Sequence, residues 1–214
     1  TVNSLSGLLS GLVEKFSARG HALYLVGGSV RDALLGRLGN DLDFTTPARP
    51  EVVKEILDEW AETVWDTGIA YGTVSAVYKG QQIEITTFRS DSYDGQSRNP
   101  EVIYGDSLEG DLVRRDFKVN AMAIELLTDA TFEFHDPLGG LHDVANKVLD
   151  TPDKPEISFH DDPLRMLRAA RFASQLEFRV ADRVVEAMRD MAGEIQRITV
   201  ERVQVELDKL ICGT

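Results

Sequence analysis

Near the start of the chain Leu5, Leu8, Leu9, Leu12, Val13 and Phe16 recur at helical steps, the pattern of one buried helix face, and Gly20 stands as its stop. Residues 22–26 form a short apolar run of strand length, broken by Gly27 and Gly28, and residues 30–35 read as a short helix ending near Gly36. Residues 41–45 alternate polar and apolar as a strand does, and 50–60 predict a helix behind it. Residues 73–78 and 82–88 predict paired strands joined through Lys79, Gly80 and Gln81. The stretch 89–106, rich in Ser, Asp, Asn and Gly, predicts a long loop, and such loops in compact domains are usually functional. Two further strands, near 122–127 and 131–134, complete a mixed sheet. After Pro152 the periodicity is helical only, at about 161–175, 181–191 and 200–210. The domain boundary is expected within 151–159, where Pro152 and Pro155 interrupt any period.

The chain has 214 residues, 43% of them hydrophobic, which is ordinary for a packed protein of one generous domain or two small ones. No run of apolar residues is long enough to span a bilayer, and the N-terminus lacks a signal-peptide pattern, so a cytoplasmic protein with no membrane partner is expected. Cys212 is the single cysteine, which excludes an internal disulfide or a cysteine-built zinc site. The formal charge of −13 weighs against nucleic acid as a partner, because phosphate binding draws on basic surface. Local field matters more than the sum, however, and arginines gather at Arg114 and Arg115 and again at Arg165, Arg168 and Arg171. A chain without an initiator Met, ending directly after an amphipathic helical pattern, is expected to be an excised piece whose missing part carries basic surface.

Three blocks carry chemistry. In L-V-G-G-S-V-R-D, followed by N-D-L-D-F-T, the paired Gly27 and Gly28 permit close backbone approach to a ligand, helix-start amides suit phosphate oxygens, and Arg31 adds charge. Asp41 and Asp43 stand two apart on a strand, so both carboxylates point to one face, where hard oxygen ligands suit Mg²⁺. Glu84, set between apolar neighbours in I-E-I-T-T-F-R, is a possible third carboxylate. In D-L-V-R-R-D-F-K-V-N, charges alternate from Asp111 to Asp116 as on an exposed face, but Asn120 lies in an apolar run and needs partners that a nucleotide could supply. In D-D-P-L-R-M-L-R-A-A-R-F, Asp162, Arg165, Arg168 and Arg171 make a polar stripe at steps of three. One acid beside three arginines leaves a surplus of positive charge that a triphosphate would relieve. Taken alone, that stripe reads equally as a solvated ion-pair face.

These blocks, in this order, resemble the class of tRNA nucleotidyltransferases that includes bacterial CCA-adding enzymes and bacterial poly(A) polymerases, relatives of the DNA polymerase beta superfamily. The resemblance runs from about His21 to the C-terminus and takes in D-P-L-G-G-L-H-D at 136–143 and I-T-V-E-R-V-Q-V-E-L at 198–207; Lys118 and Asp161 stand where the family usually has Thr and Glu. It implies an α+β fold: a polymerase-beta-like head with a mixed sheet over 1–150, then an incomplete helical neck over 151–214, with body and tail domains absent. It further implies Asp41 and Asp43 as metal ligands with Glu84 a less certain third, and Mg²⁺ as the cofactor. Gly28, Arg31 and Arg115 would hold the triphosphate, Asp116 and Asn120 the ribose end, Gly27 and Arg114 would also bind the nucleotide, and the stripe of Asp162, Arg165, Arg168 and Arg171 would belong to nucleotide recognition, with Asp162 and Arg165 reading the base. The implied reaction is addition of CMP and AMP from CTP and ATP to a tRNA 3′ end, with poly(A) synthesis or partial CCA addition as enzymatic alternatives and an inactive nucleotide- or RNA-binding module as the non-enzymatic one. A P-loop or dinucleotide-binding protein is excluded, since neither glycine fingerprint is present.

Overall fold

The computed structural model describes residues 2–90 and 103–213, so most of the loop expected at 89–106 lies outside the described residues. In chain order the elements are α1 (Val2–Ala18), β1 (Tyr24–Val26), α2 (Gly28–Leu34), β2 (Asp41–Thr46), α3 (Pro50–Asp58), β3 (Thr63–Trp65), β4 (Thr73–Tyr78), β5 (Gln81–Thr87), α4 (Leu108–Val113), β6 (Ala123–Leu126), β7 (Phe132–His135), α5 (Gly140–Asn146), β8 (Val148–Leu149), α6 (Pro155–Asp161), α7 (Leu164–Leu176), β9 (Arg179–Val180), α8 (Asp182–Met191) and α9 (Val200–Cys212). Among the described residues, no helix is long and apolar enough to cross a membrane.

Seven strands form one sheet in the order β3-β4-β5-β2-β1-β6-β7, in which β2 and β5 are parallel and every other neighbouring pair is antiparallel. The pleat sorts its side chains. On β2, Leu42 and Phe44 are buried while Asp41 is exposed, and on β5, Ile83 and Ile85 are buried while Glu84 is exposed. The apolar residues Val53, Ile56 and Leu57 of α3 are buried, and α3 packs against β4 and β5. Helix α1 buries Leu8, Leu12 and Phe16, as its spacing predicts. These elements make one compact unit, residues 1–112 with 122–137.

The second compact unit comprises residues 113–121 with 138–214. Its core gathers Phe159, Met166, Val184 and Ala187. The helix expected at 161–175 is α7, and α6 is a further helix lying mostly within the stretch expected as the boundary; between them Asp162 is extended (φ −144°, ψ 97°). Pro163 is the cause, because its ring disfavours helical geometry for the residue before it. Nor are helices the only elements after Pro152, since β9 pairs in parallel with β8. Two elements were too short to show a period: β3, and α4, whose run of six contains Gly110.

Helices α7 and α9 pack together, and between them Arg171 donates from Nε to a carboxylate oxygen of Glu206; the two residues are 8% and 4% exposed. Removing one partner of a buried pair strands the other charge, which typically costs about 3–5 kcal/mol. Glu206→Ala is therefore expected to lower the unfolding free energy by roughly that amount, while the apolar double substitution Arg171→Met with Glu206→Leu loses much less. Urea denaturation followed by circular dichroism checks both.

Candidate functional site

In the first unit, β1 runs into α2 through Gly27, whose φ of 67° and ψ of −138° is a conformation only glycine adopts readily. A Cβ on Gly28 would lie 3.2 Å from Nη2 of Arg31, so the guanidinium folds closely over this turn. Arg31 is 7% exposed, and its Nε donates to Asp32 at 2.8 Å. The free phosphate-facing charge expected of Arg31 is thus partly engaged by its sequence neighbour. Ser29, which sequence reasoning passed over, joins α2 to β2: its hydroxyl accepts from the Asp43 amide at 2.9 Å and donates to the Asp41 carbonyl at 3.4 Å. The backbone bearing both aspartates is therefore pinned.

Asp41 and Asp43 alternate with buried Leu42 and Phe44, which places both carboxylates on the opposite sheet face. Asp43 pairs in register with Glu84, so Glu84 shares that face, where Ser75 donates to it at 3.4 Å. Two clustered carboxylates on one strand face fit a hard divalent cation, which also relieves their repulsion. Glu84 does not complete a tight trio with them. Among the described residues, the group of three whose ligand atoms all lie within 4.8 Å of one another is Glu125, Glu133 and His135, on β6 and β7. That group could hold a metal ion, but its imidazole already contacts Glu125 at 3.2 Å.

Asp111, expected on an exposed face, is fully buried in the first unit, where it accepts from the Arg89 amide at 3.1 Å and from Thr45 at 3.4 Å. Charge alternation gave no sign of this, because the partners come from other elements.

In the second unit, residues 113–121 carry Asp116 and Asn120, both buried. Asp116 Oδ1 accepts from the Phe117 amide at 2.8 Å and from Asn120 Nδ2 at 3.0 Å, while Oδ2 accepts from Arg168 at 2.8 Å (Nε) and 2.6 Å (Nη2). The protein itself thus supplies a partner for the buried Asn120. Burial pushes the Asp116 carboxyl upward, but the Arg168 charge, hydrogen bonds from Asn120 and Arg168, and the Arg165 charge together hold it below the usual carboxylate range. Phe117 meets Phe172 of α7 edge-on, with ring centroids 6.0 Å apart, which fixes the same segment from its apolar side.

The arginine stripe is not a solvated face. Arg165 donates from Nη2 to the Arg114 carbonyl at 2.8 Å and from Nη1 to Ser158 Oγ at 2.9 Å, Arg168 is held by Asp116, and Arg171 by Glu206. Asp162 accepts from the Leu164 amide at 3.2 Å and from Arg202 at 2.9 Å. Arg114 and Arg115 are partly buried on the same segment as Asp116. On α5, Asp143 is buried with Oδ2 lacking a hydrogen-bond partner, and burial raises its carboxyl against the lowering charge of Lys118.

The arrangement has known counterparts. The Poly A polymerase head domain family matches residues 23–150, and a second family, described as the probable RNA and SrmB-binding site of polymerase A, matches residues 177–214. A CCA-adding enzyme of Enterococcus faecalis is 40% identical over 203 residues, covering 94% of this chain and 48% of the relative. The solved Bacillus stearothermophilus CCA-adding enzyme in complex with CTP superposes with a TM-score of 0.80 at 38% identity, over 94% of this chain and 47% of that one. A tRNA nucleotidyltransferase solved with a primer tRNA and an incoming ATP analog gives 0.77 at 30% identity, over 92% and 55%. The chain thus spans about half the length of the relatives it matches.

Because the folded-state pKa of Asp116 is depressed, its contribution to stability is present above the unfolded carboxylate value of about 4 and is lost as pH falls through the folded value. Asp116→Asn is expected to be less stable at neutral pH and to show a flatter acid limb below about pH 4. Urea midpoints measured from pH 7 downward test this.

Proposed function

The chain belongs to the Poly A polymerase head domain family, and from that premise we propose that it carries the catalytic part of a template-independent nucleotidyltransferase, one that adds CMP and AMP to the 3′ end of tRNA. The observation that carries this reading is the pinned Asp41 and Asp43 pair, presented on one strand face beside the Gly27-Gly28 turn. Its likeness to a CCA-adding enzyme solved with CTP supports it.

In the proposed reaction the RNA 3′-hydroxyl attacks the α-phosphate of CTP or ATP in line, and pyrophosphate leaves. Asp41 and Asp43 would hold Mg²⁺, which when bound stabilises charge on the attacking and leaving oxygens. Gly28, Arg31 and Arg115 would hold the triphosphate, with Gly27 and Arg114 also contributing to nucleotide binding. Asp116 and Asn120, already fixed against each other and Arg168, would meet the ribose without reorganising. No side-chain base is required.

Asp162 and Arg165 would select the base. Cytosine and adenine both offer an exocyclic amino donor beside a bare ring nitrogen, which suits a carboxylate that accepts and a guanidinium that donates. Uracil and guanine present the reverse. Asp162 has lone pairs left beyond those taken by Leu164 and Arg202, and Arg165 has N–H groups left beyond those given to Ser158 and Arg114. Poly(A) synthesis is the second reading, favoured by the polymerase A descriptions of both matching families.

Full-length protein supplied with tRNA ending before CCA and each nucleotide in turn, followed by 3′-end sequencing, separates the readings: a terminal CCA supports the first, and an A tract from ATP alone the second. Asp43→Ala should lower addition by at least roughly a hundredfold, with an unchanged or raised thermal midpoint because a like-charge repulsion is relieved. Substantial addition by the folded variant would overturn the assignment. Residues 1–214 alone, with 36 acidic and 23 basic residues, are expected to bind CTP with Mg²⁺ yet bind tRNA weakly; a salt titration of binding checks this.

A further inference from the structure

Asp162 and Arg165 converge on one residue of α6 that no motif singled out. The carbonyl of Ser158 accepts the Asp162 amide N–H at 3.1 Å, and its hydroxyl accepts from Arg165 Nη1 at 2.9 Å, with the carbonyl a weaker second acceptor for the same nitrogen at 3.5 Å. Ser158 is 7% exposed, and the next residue, Phe159, is fully buried in the core with Met166 and Val184, so the hydroxyl has little freedom to move. On the other side of the guanidinium, Nη2 donates to the Arg114 carbonyl at 2.8 Å.

A guanidinium is a rigid planar fork. With one acceptor fixed on each terminal nitrogen, its plane is determined, and so are the directions of the N–H groups that remain. One of these acceptors is backbone, present whatever the side chain. The other is the Ser158 hydroxyl, which a single substitution removes.

We propose that Ser158 is a specificity-determining positioning residue: its hydroxyl holds the Arg165 guanidinium in the one orientation that accepts cytosine and adenine and opposes uracil and guanine. This rests on the reading of Asp162 and Arg165 as the base-selecting pair. Selectivity by opposed donors and acceptors needs the protein groups to stay in place when the wrong base arrives. An arginine free to swing avoids the clash and admits the wrong base. Loss of the hydroxyl therefore acts on the ratio between nucleotides more than on the rate with the correct one.

The test measures kcat/KM for CTP and for UTP with the full-length protein and tRNA ending before CCA, for wild type, Ser158→Ala, Ser158→Thr and Arg165→Gln. Ser158→Ala is expected to reduce the CTP-to-UTP ratio about tenfold, the scale of one hydrogen bond to a charged group, with a smaller change in kcat for CTP. Ser158→Thr, which keeps the hydroxyl, should restore the ratio. An equal loss with both nucleotides, leaving the ratio unmoved, means that Ser158 serves only the fold and overturns the proposal. Arg165→Gln separates the two levels: if it too keeps the wild-type ratio, the base-selecting pair is misassigned, and if it shifts the ratio while Ser158→Ala does not, the proposal alone fails. Should Ser158→Ala not fold, Ser158→Cys, close in volume and a poor acceptor, takes its place with the same two outcomes.

Discussion

A buried or half-buried guanidinium must find acceptors, and the second unit is organised around meeting that requirement three times along one helix. Arg165, Arg168 and Arg171 leave α7 at steps of three and reach three different parts of the chain: Ser158 on α6 with the Arg114 carbonyl, Asp116 on the 113–121 segment, and Glu206 on α9. All but the Ser158 bond join residues distant in sequence, so each of those closes a loop that apolar contacts alone would leave less defined in register. Burial of Phe159, Met166 and Val184 supplies most of the driving force, but such contacts are non-directional. The charged hydrogen bonds decide which rotation of α7 is native. They decide at the same time where Asp116 and Arg165 stand.

The first unit meets a different constraint. A pleated strand whose alternate residues are Leu42 and Phe44 on the buried side must present Asp41 and Asp43 together on the other, and no rearrangement short of a register slip can part them. Parallel pairing with β5 then brings Glu84 beside Asp43, adding a like charge where two already repel. The sheet tolerates this because its opposite face buries Leu42, Phe44, Ile83 and Ile85 and because Ser29 ties the backbone of both aspartates to α2. Local electrostatic cost is carried by a part of the fold that is stable for other reasons.

Much of this was legible in the sequence wherever one element determines its own pattern. The period of α1, the alternation of β2 and the separation of β4 from β5 by Lys79 and Gly80 are single-element properties, and they were read within a few residues of the observed ends. The break between α6 and α7 was also written in the chain, as Pro163 after Asp162, but α6 itself showed no apolar period, because Pro152 and Pro155 interrupt the stretch that holds it. What could not be read were pairings. Nothing near Asp111 announces Thr45 and Arg89 as partners, and nothing near Arg171 announces Glu206. For Arg168 and Arg171 the balancing acids lie 52 residues upstream and 35 downstream, beyond the reach of a local pattern. Ser29 and Ser158 escaped notice for the same reason: a small hydroxyl residue has no pattern of its own, and its importance lies wholly in what the fold brings to it.

The pairing of these arginines bears on how a chain of net charge −13 could serve a reaction between two polyanions. Within the second unit, Lys118, Arg168, Arg171, Arg183, Arg197 and Arg202 are each matched with a carboxylate, so these six offer little unbalanced positive charge to a distant phosphate. Long-range attraction, which screens out beyond about a Debye length in salt, is then not what this part of the protein is built to supply. What it supplies is short-range and directional: N–H groups and carboxylate oxygens whose positions are fixed before any ligand arrives. A donor already held by its own partners gains less from a phosphate or base than a free one, but it loses almost no entropy on binding and cannot follow a misplaced ligand. Immobilised polar groups thus trade affinity for discrimination. In a reaction with no template to choose the nucleotide, that trade favours the function proposed, because selection must come from protein groups that refuse to move.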